Sequence, residues 1–321
     1  MTRTRIAVIG VGHLGQHHAR LLAAMPEVEL VAVVDTQPGR ADEIAAKHGT
    51  RGLLQAEDLV GRVDAVTIAT PTVSHLDVAL RFIDAGAAVL VEKPMATSLA
   101  EADRLVEAAA AKGTLLAVGH TERFNPAVVA ALPLITAPRF IEIHRLGTFP
   151  ERSLDIDVIF DLMIHDLDVL LTVVGDDVAS VEAVGVNVLT RRVDIANARL
   201  RFANGCIANV TASRISRDKI RKARFFSKEA YVSIDYATQD VESYRIIPQP
   251  PGGGPVSASV ATGDNGRPTI LGGAVPVTKD EPLRHELVDF VDAIRSGRQP
   301  LVSGRNGRAA LALATRVAEL L

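Results

Sequence analysis

The chain has 321 residues, which is long for one compact core and favours two domains. Hydrophobic residues make up 48% and charged residues 23%, a balance typical of a globular protein in water. Thirty-five basic and 38 acidic side chains give a net charge of -3. Since no block of like charge occurs, we expect neither nucleic acid nor a membrane as a partner.

No apolar run is long enough for a membrane helix, and the start of the chain lacks the pattern of a signal peptide, so we expect a cytoplasmic protein. The single cysteine, Cys206, excludes an internal disulfide and a cysteine-based metal site, and we expect no metal. It follows a predicted turn at Asn204-Gly205 and has no activating group nearby. A small strand residue is therefore favoured over a nucleophile.

The first motif is "RIAVIGVGHLGQHHARLL", a short strand pattern joined to a helix pattern by Gly10, Gly12 and Gly15. This G-x-G-x-x-G spacing is weak evidence alone, and an ordinary strand-helix turn is the alternative. The next strand, "LVAVVD", ends on Asp35, which is the context of a dinucleotide site. Gly10 then serves the tight turn, Gly12 the close approach of the pyrophosphate and Gly15 helix packing.

Asp35 predicts NAD as the cofactor, because its carboxylate accepts from ribose hydroxyls and repels a 2′-phosphate. Arg40 weakens the preference, since a guanidinium can pair with that phosphate. NADP is therefore the less favoured alternative.

Strands and helices then alternate to about residue 120, which predicts a doubly wound parallel sheet, an α/β Rossmann domain over residues 1–120. Ligands bind beyond the carboxyl ends of such strands, and two of those ends carry proline, in "ATPTVSH" and "VEKPMA". The residues predicted to contact the cofactor are Gly10, Gly12, His13, Leu14, Gly15, Asp35, Arg40, Ala69, Thr70, Pro71, His75, Glu92, Lys93 and Pro94.

The run "AVLVEKP" is a buried-strand pattern that stops on Glu92, Lys93 and Pro94. Spacing alone allows a surface ion pair with proline as a stop signal. The functional alternative is that Lys93 projects beside the nicotinamide and exchanges a proton with a substrate hydroxyl. Glu92, on the other strand face, is then expected to bond toward the cofactor edge or brace the turn.

Residues 121–321 change pattern: strands follow one another and a few helices interrupt them. This predicts an α+β domain with a large, mostly antiparallel sheet for substrate binding and oligomerisation, with C-terminal helices that can pack back on the first domain. Residues 248–280 are rich in glycine and proline. Because so long a structureless segment is unusual, we expect an ordered excursion, such as an arm on a neighbouring subunit.

The predicted helix "VIFDLMIHDLDVLLTVVG" carries Asp161, His165 and Asp168 at i, i+4 and i+7, on one face. A core histidine is the alternative, made less attractive by two aspartates beside it. Asp168 is expected to be structural, and Asp166 to point away from this face.

The segments "GVGHLGQHHAR", "ATPTVSH", "VEKPMA" and "DLMIHDLD" occur in the order found in the Gfo/Idh/MocA (glucose-fructose oxidoreductase and inositol dehydrogenase) family, which the chain resembles over essentially its whole length. The resemblance implies an NAD(P)-dependent dehydrogenase acting on a CH–OH group and a homodimer or homotetramer formed through the C-terminal sheet. It implies that Lys93, His165 and Asp161 are catalytic, and it makes Lys93-Pro94 a candidate cis peptide. Whether Lys93 or His165 takes the proton stays open.

"GHTERFNP" and "DVIFDLMIHDLDVL" resemble the branch that oxidises nucleotide sugars, which implies oxidation at C3 of a substrate such as UDP-N-acetylglucosamine, in lipid A biosynthesis. Three alternatives stay open: a free sugar or polyol dehydrogenase of the family, an NAD-dependent glycosidase and a non-catalytic dinucleotide-binding regulator. Arg145 is a further candidate contact for the diphosphate. The residues expected to bind the substrate are Arg123, Asn125, Arg152, Asp161 and His165.

Overall fold

The computed structural model describes residues 2–149, 156–175, 177–247 and 269–321. Its contacts group into two compact units. The first comprises Met1–Thr121 with Glu281–Ala312, and the second comprises Glu122–Asp280 with Leu313–Leu321. Among the described residues, no helix is both long and apolar enough to cross a membrane.

The first unit contains a six-stranded parallel sheet in the order β3-β2-β1-β4-β5-β6. Its strands are β1 (Thr4–Ile9), β2 (Val28–Val34), β3 (Arg51–Leu53), β4 (Ala65–Ile68), β5 (Ala88–Glu92) and β6 (Leu116–Gly119). The helices between them are α1 (Gly15–Ala23), α2 (Arg40–His48), α3 (His75–Asp84) and α4 (Leu99–Lys112). The predicted doubly wound sheet is confirmed.

The central strands are continuous apolar runs because both faces of the sheet are covered, and β4 and β5 are buried throughout. The strand order reverses between β1 and β4. At such a reversal, the loops after the two strands diverge and leave a crevice for a ligand. Here these loops begin at Gly10 and Ala69, so the glycine motif and "ATPTVSH" lie at the ligand-binding edge of the sheet.

The second unit begins with the short helix α5 (Pro126–Ala131) and contains an eight-stranded sheet in the order β14-β13-β12-β11-β7-β10-β9-β8. All neighbours are antiparallel except β7 and β10. The elements are β7 (Phe140–Leu146), a π-helical segment (Ile159–Met163) continued by α6 (Ile164–Val174), β8 (Val178–Val186), β9 (Ile195–Phe202), β10 (Ile207–Ser213), β11 (Ile220–Phe226), β12 (Ala230–Asp235), β13 (Asp240–Ile247) and β14 (Thr269–Val275). The predicted mostly antiparallel sheet is confirmed.

The segment predicted as an excursion, 248–280, lies only partly within the described residues. Residues 248–268 lie outside the described residues, whereas Thr269–Val275 is the edge strand β14 and pairs with β13 of the same chain. The sequence pattern did not predict this strand, because Gly272 and Gly273 weaken a strand pattern. Gly272 is needed for the pairing, since a Cβ there would lie 2.1 Å from the carbonyl oxygen of Ser243.

The chain closes with α7 (Pro282–Ser296) and α8 (Gly304–Ala318). Leu287, Phe290 and Val291 of α7 are almost completely buried, and they belong to the same hydrophobic cluster as Ile6 and Val8 of β1. The segment after β14 thus contributes to the core of the first unit, although it is remote in sequence from the strands that it covers.

Candidate active site

The glycine motif is a tight loop between β1 and α1. Gly10 has a φ of +84°, in the left-handed region that favours glycine, and a Cβ there would lie 2.8 Å from the carbonyl oxygen of Ala69. At Gly15 a Cβ would lie 1.8 Å from the carbonyl oxygen of Gly10. These two glycines therefore allow the loop to fold back on itself and on the end of β4.

Gly12 differs from its neighbours because it is exposed, and nothing among the described residues stands within 4 Å of the position where its Cβ would be. The α1 helix begins immediately afterwards, and its N-cap residue, Leu14, has an apolar side chain that cannot accept a bond from the first helical N–H groups. Open space above a glycine beside donor groups at a helix N-terminus suits a pyrophosphate. The loop thus fits the dinucleotide that its sequence predicts.

Asp35 and Arg40 both contact the backbone of this loop through Val11. Asp35 accepts from the amide of Val11 at 3.0 Å and from that of Gln37 at 2.9 Å, while Arg40 donates to the carbonyl of Val11 at 2.9 Å. Arg40 also bonds Glu43 and Gln16. The carboxylate at the end of β2 thus lies beside the glycine loop, and the guanidinium has partners within the protein.

The loop after β4 contains Ala69, Thr70 and Pro71, of which Pro71 is exposed. His75, which begins α3, is almost completely buried. It is 1% exposed, with Nδ1 3.0 Å from the carbonyl oxygen of Pro94 and Nε2 2.9 Å from that of Thr70. The ring thus lies between the two proline-bearing loops, and its contact with the cofactor stays a prediction.

Glu92, the last residue of β5, has its carboxylate turned into the interior, where the residue is 5% exposed. Its Oε1 lies 3.0 Å from Nε2 of His18, a fully buried residue of α1. Burial raises the pKa of Glu92, but the hydrogen bond and charge of His18 and the charge of Lys93 hold it below its ordinary value. Glu92 is therefore not part of a surface ion pair, and its bond from the amide of Lys93 agrees with the alternative that it braces the turn. Its contact with the cofactor stays a prediction.

Lys93 follows directly after β5 and is half-buried, and its backbone amide donates to Oε2 of Glu92 at 3.3 Å. The Lys93-Pro94 peptide bond is cis, which confirms that prediction. Lys93 therefore stands at the carboxyl end of a central strand, on the same edge of the sheet as the glycine loop.

Sequence reasoning missed two residues here, His18 and Gly119. His18 lies among the buried residues of an amphipathic helix, where histidine is unusual, and this was the available signal. Gly119, at the end of β6, gave no signal. A Cβ on it would lie 2.9 Å from Cδ of Glu92, so glycine leaves room for the carboxylate.

In the second unit, Asp161 lies in the π-helical segment and His165 in the first turn of α6, and both are half-buried. A π-helical turn inside a helix is rare and occurs often at functional sites. The predicted helix is therefore present, but its regular i, i+4, i+7 geometry is altered at Asp161.

Asp166 points into the interior of the second unit. It is fully buried and accepts two bonds from Arg145, at 2.7 and 2.8 Å, while a third bond joins Arg145 to Glu122 at 2.9 Å. Burial raises the pKa of Asp166, and Arg145 offsets only part of that rise. Burial acts to lower the pKa of Arg145, but the two carboxylates outweigh it and hold the value well above the ordinary one. Arg145 is thus committed to this cluster and not placed for a diphosphate.

Arg123 and Asn125 are both buried and have partners in the second unit. Arg123 donates to Asp168 at 3.3 Å, which gives Asp168 the structural role expected of it. Asn125 caps α5 by accepting from Ala127, and it donates to the carbonyl of Tyr236 at 3.0 Å. Direct contact of these two side chains with the sugar or nicotinamide stays an untested prediction.

The two remaining candidates are Arg152 and Cys206. Arg152 lies outside the described residues. Cys206 is buried, and burial raises the pKa of its thiol to about 11. Since the thiolate is the nucleophilic form, the structural role that we expected for Cys206 agrees with its environment.

The candidate residues thus form two sets. The first unit holds the glycine loop with Asp35, the loop after β4, and Lys93 with the buried Glu92-His18 pair. The second unit holds Asp161 and His165 on a helix anchored by two buried ion pairs, Arg145-Asp166 and Arg123-Asp168. The first set defines a dinucleotide-dependent oxidoreductase.

Comparisons with known proteins give the family. Residues 4–120 match the Gfo/Idh/MocA oxidoreductase family with its NAD-binding Rossmann fold, and residues 141–232 match the Gfo/Idh/MocA C-terminal domain. The chain is 39% identical to the UDP-N-acetylglucosamine 3-dehydrogenase of Acidithiobacillus ferrooxidans, over 99% of this chain and 97% of that protein. It is 28% identical to an inositol 2-dehydrogenase of Rhizobium meliloti, over 97% and 94% of the two chains.

A solved structure of the UDP-N-acetylglucosamine 3-dehydrogenase from Acidithiobacillus ferrooxidans superposes with a TM-score of 0.90 at 38% identity, covering 100% of this chain and 98% of that one. The fold, the glycine loop and these matches agree. The chain belongs to the Gfo/Idh/MocA oxidoreductase family, and its cofactor is NAD.

Proposed function

We propose that this protein oxidises a secondary hydroxyl of a sugar, at C3 of a nucleotide sugar such as UDP-N-acetylglucosamine, with NAD as the hydride acceptor. The observation that carries the proposal is the 39% identity with a UDP-N-acetylglucosamine 3-dehydrogenase over 99% of the chain. Lys93, Asp161 and His165 support it, because a proton-exchanging lysine and histidine suit the oxidation of an alcohol.

The cofactor has a ready set of binding groups in the first unit. Gly12 and the start of α1 are proposed to hold the pyrophosphate, and Asp35 the adenosine ribose. His13, Leu14, Ala69, Thr70 and Pro71 are proposed to line the rest of the binding site. When bound, the nicotinamide supplies the carbon that accepts hydride.

The chain's own residues are proposed to handle the proton. Lys93 or His165 accepts it from the substrate hydroxyl, and Asp161 bonds the sugar or orients the accepting group. Lys93 is half-buried at the end of β5, and His165 is held by the helix that the Arg145-Asp166 pair anchors.

A second candidate is the oxidation of a free polyol, favoured by the 28% identity with an inositol 2-dehydrogenase over 97% of the chain. The two candidates differ in the substrate, not in the chemistry. The cytoplasmic location stays a prediction, and so does the role in lipid A biosynthesis, which belongs to the nucleotide-sugar candidate.

We also propose a homo-oligomer that uses one face of the eight-stranded sheet. Along β7 buried and half-buried residues alternate, so one face is less covered than the other. The less covered face carries an aromatic row, with ring centroids 5.7 Å apart for Phe140 and Phe226, 5.1 Å for Phe226 and Tyr231, and 6.1 Å for Tyr231 and Tyr244. A second copy of the chain is its proposed occupant. Light scattering should give a dimer or tetramer for the wild type, and a monomer would contradict this part.

The decisive experiment is a panel of UDP-sugars, free hexoses and inositols with NAD or NADP, followed at 340 nm. We expect NADH with UDP-N-acetylglucosamine and a 3-keto product identified by mass spectrometry. Turnover of a free polyol alone would select the second candidate. Cleavage of a glycoside without net NADH would indicate the glycosidase alternative, and cofactor binding without any turnover would indicate a regulator.

A further inference from the structure

The two residues Lys93 and Pro94 are contacted at both ends by buried side chains: by the preceding Glu92, which His18 of α1 contacts in turn, and by His75 of α3. On one side, the amide of Lys93 donates to Glu92, whose other oxygen meets His18 of α1 at 3.0 Å. On the other side, the carbonyl oxygen of Pro94 lies 3.0 Å from Nδ1 of His75. We call His18, Glu92 and His75 the lysine clamp.

On the Glu92 side of the clamp, the carboxylate contacts two N–H groups, Nε2 of His18 and the backbone amide of Lys93. An ionised carboxylate only accepts, so Nε2 of His18 carries the hydrogen in this contact. His18 is 0% and Glu92 5% exposed, and in such a low-dielectric interior a charged acceptor with two donors is strongly directional. Gly119 leaves room for the carboxylate of Glu92, since a Cβ at this position would displace it.

The His75 side of the clamp connects two loops. Its ring lies between the carbonyl oxygens of Pro94 and Thr70, at 3.0 and 2.9 Å, and Thr70 follows β4. A neutral imidazole has one N–H and can donate to only one of these carbonyls at a time. The ring is thus packed between the segment after β5 and the loop after β4, with a hydrogen bond to one of them, at the edge of the sheet where the candidate site lies.

From this geometry we infer that His18, Glu92 and His75 are positioning residues for the reaction: they fix the backbone from Lys93 to Pro94 and thereby place the Lys93 side chain for proton exchange with the substrate. We assign none of the three a catalytic role, because all are almost completely buried. The inference rests on the proposed function only in giving Lys93 its catalytic role. A displacement of about 1 Å in a reacting group can cost about a hundredfold in rate.

The test compares Glu92→Gln, His75→Leu and His75→Gln with wild type in the full chain, using UDP-N-acetylglucosamine and NAD. We expect kcat to fall about 10- to 100-fold in Glu92→Gln and His75→Leu, while the KM for the sugar and the Kd for NAD change less than about threefold. His75→Gln keeps one donor and should recover part of the loss. Thr50→Val is the matched control, since it removes a part-buried hydrogen bond to the carbonyl of Leu30 elsewhere in the same unit and should leave kcat unchanged.

A double-mutant cycle separates positioning from general loss of stability. If the clamp acts through Lys93, then Glu92→Gln should have no further effect on the residual rate of Lys93→Met. Equal fractional losses in the wild-type and Lys93→Met backgrounds would overturn the inference, as would a kcat within twofold of wild type in the folded clamp variants. A parallel rise in the Kd for NAD would indicate direct cofactor contact instead, and would also overturn it.

A second readout does not depend on turnover. Hydrogen exchange of the peptide covering residues 92–96, followed by mass spectrometry, should speed up in His75→Leu and Glu92→Gln but not in Thr50→Val. If no sugar is turned over by the wild type, the proposed function fails while faster exchange still supports the anchoring. Unchanged exchange in both clamp variants would overturn the clamp and leave the proposed function standing.

Discussion

Both carboxylate oxygens of Asp166 accept hydrogen bonds from the guanidinium of Arg145, at 2.7 and 2.8 Å, one residue after His165. The pair is buried, and Glu122 provides a second carboxylate for Arg145. The helix that carries His165 is therefore attached to the sheet at the position next to the histidine. A buried charge pair of this kind contributes little net stability, but removing Asp166 leaves the charge of Arg145 in the interior with one carboxylate instead of two.

Asp166→Asn should therefore destabilise the protein, by at most about 3–5 kcal/mol, because Arg145 keeps its charge in the interior with Glu122 as its remaining carboxylate partner. Unfolding by urea, followed by circular dichroism, measures this change. Asp240→Asn is the control, since it breaks an exposed pair with Lys279 and should shift the midpoint far less. Equal shifts in the two variants would show that the buried pair has no special role.

The glycine loop allows a prediction that separates ligand binding from folding. Gly12→Ala should leave the melting temperature of the NAD-free protein unchanged, because its Cβ would meet open space, and should weaken NAD binding about tenfold or more. Gly15→Ala should lower the melting temperature, since its Cβ would collide with the backbone at Gly10. Calorimetry and NAD titration check both. A stable Gly12→Ala protein with wild-type affinity would contradict the proposed position of the pyrophosphate.

Asp35 should determine the choice of cofactor. Its carboxylate lies beside the glycine loop, and a negative charge there opposes a 2′-phosphate. We expect wild type to prefer NAD over NADP by tenfold or more in kcat/KM, and Asp35→Asn to reduce that preference. Arg40→Gln is the companion variant, because Arg40 is bonded to Val11, Gln16 and Glu43 and should affect NADP use only weakly. If Arg40→Gln changed the preference for NAD over NADP more than Asp35→Asn does, Arg40 and not Asp35 would be the residue that determines the choice of cofactor.

Lys93→Met and His165→Gln should each reduce kcat by about 10²- to 10⁴-fold, the range of general acid–base catalysis, with the Kd for NAD nearly unchanged. The pH dependence of kcat distinguishes their roles. In the wild type, kcat should fall at low pH as the proton acceptor becomes protonated. The variant whose residual kcat no longer shows this fall identifies the acceptor. If neither variant changes turnover, both catalytic assignments are wrong.

The features that the sequence predicted and the structure shows are those whose signal is local. Gly10 and Gly15 are needed for a turn that a strand and a helix define within eighteen residues, and Lys93 directly follows a strand that is buried throughout. Periodicity was therefore sufficient for the parallel sheet and for the order of its loops.

The residues that the sequence missed or misplaced depend on contacts across long separations. His18 and Glu92 are 74 positions apart, and Arg145 and Asp166 are 21 apart. Alternation along β5 indicates which face of the sheet Glu92 occupies, but not that a buried histidine lies on that face. Likewise, charged Arg145 and Arg123 suggested contact with a diphosphate or sugar, because the sequence does not show that buried carboxylates neutralise them.

His75 leads to a prediction about pH. Burial lowers its pKa from the ordinary 6.5, although the carbonyls of Thr70 and Pro94 and the charge of Glu92 act in the opposite direction. Below pH 6.5 the unfolded chain therefore binds a proton that the folded chain does not. By linkage, the free energy of unfolding falls as the pH falls from about 6.5 toward the lower folded pKa, by at most about 1.4 kcal/mol per pH unit for one proton.

In His75→Gln this contribution is absent, so the free energy of unfolding should fall less steeply between pH 6.5 and 5.5 than in wild type. Urea titrations at several pH values, without NAD, measure the two slopes. His48, whose pKa burial also lowers, is present in both proteins and cancels in the comparison. A steeper loss in His75→Gln would mean that folding favours the imidazolium form, in which both ring nitrogens donate to the two carbonyls, and that the two hydrogen bonds outweigh the cost of burying the charge.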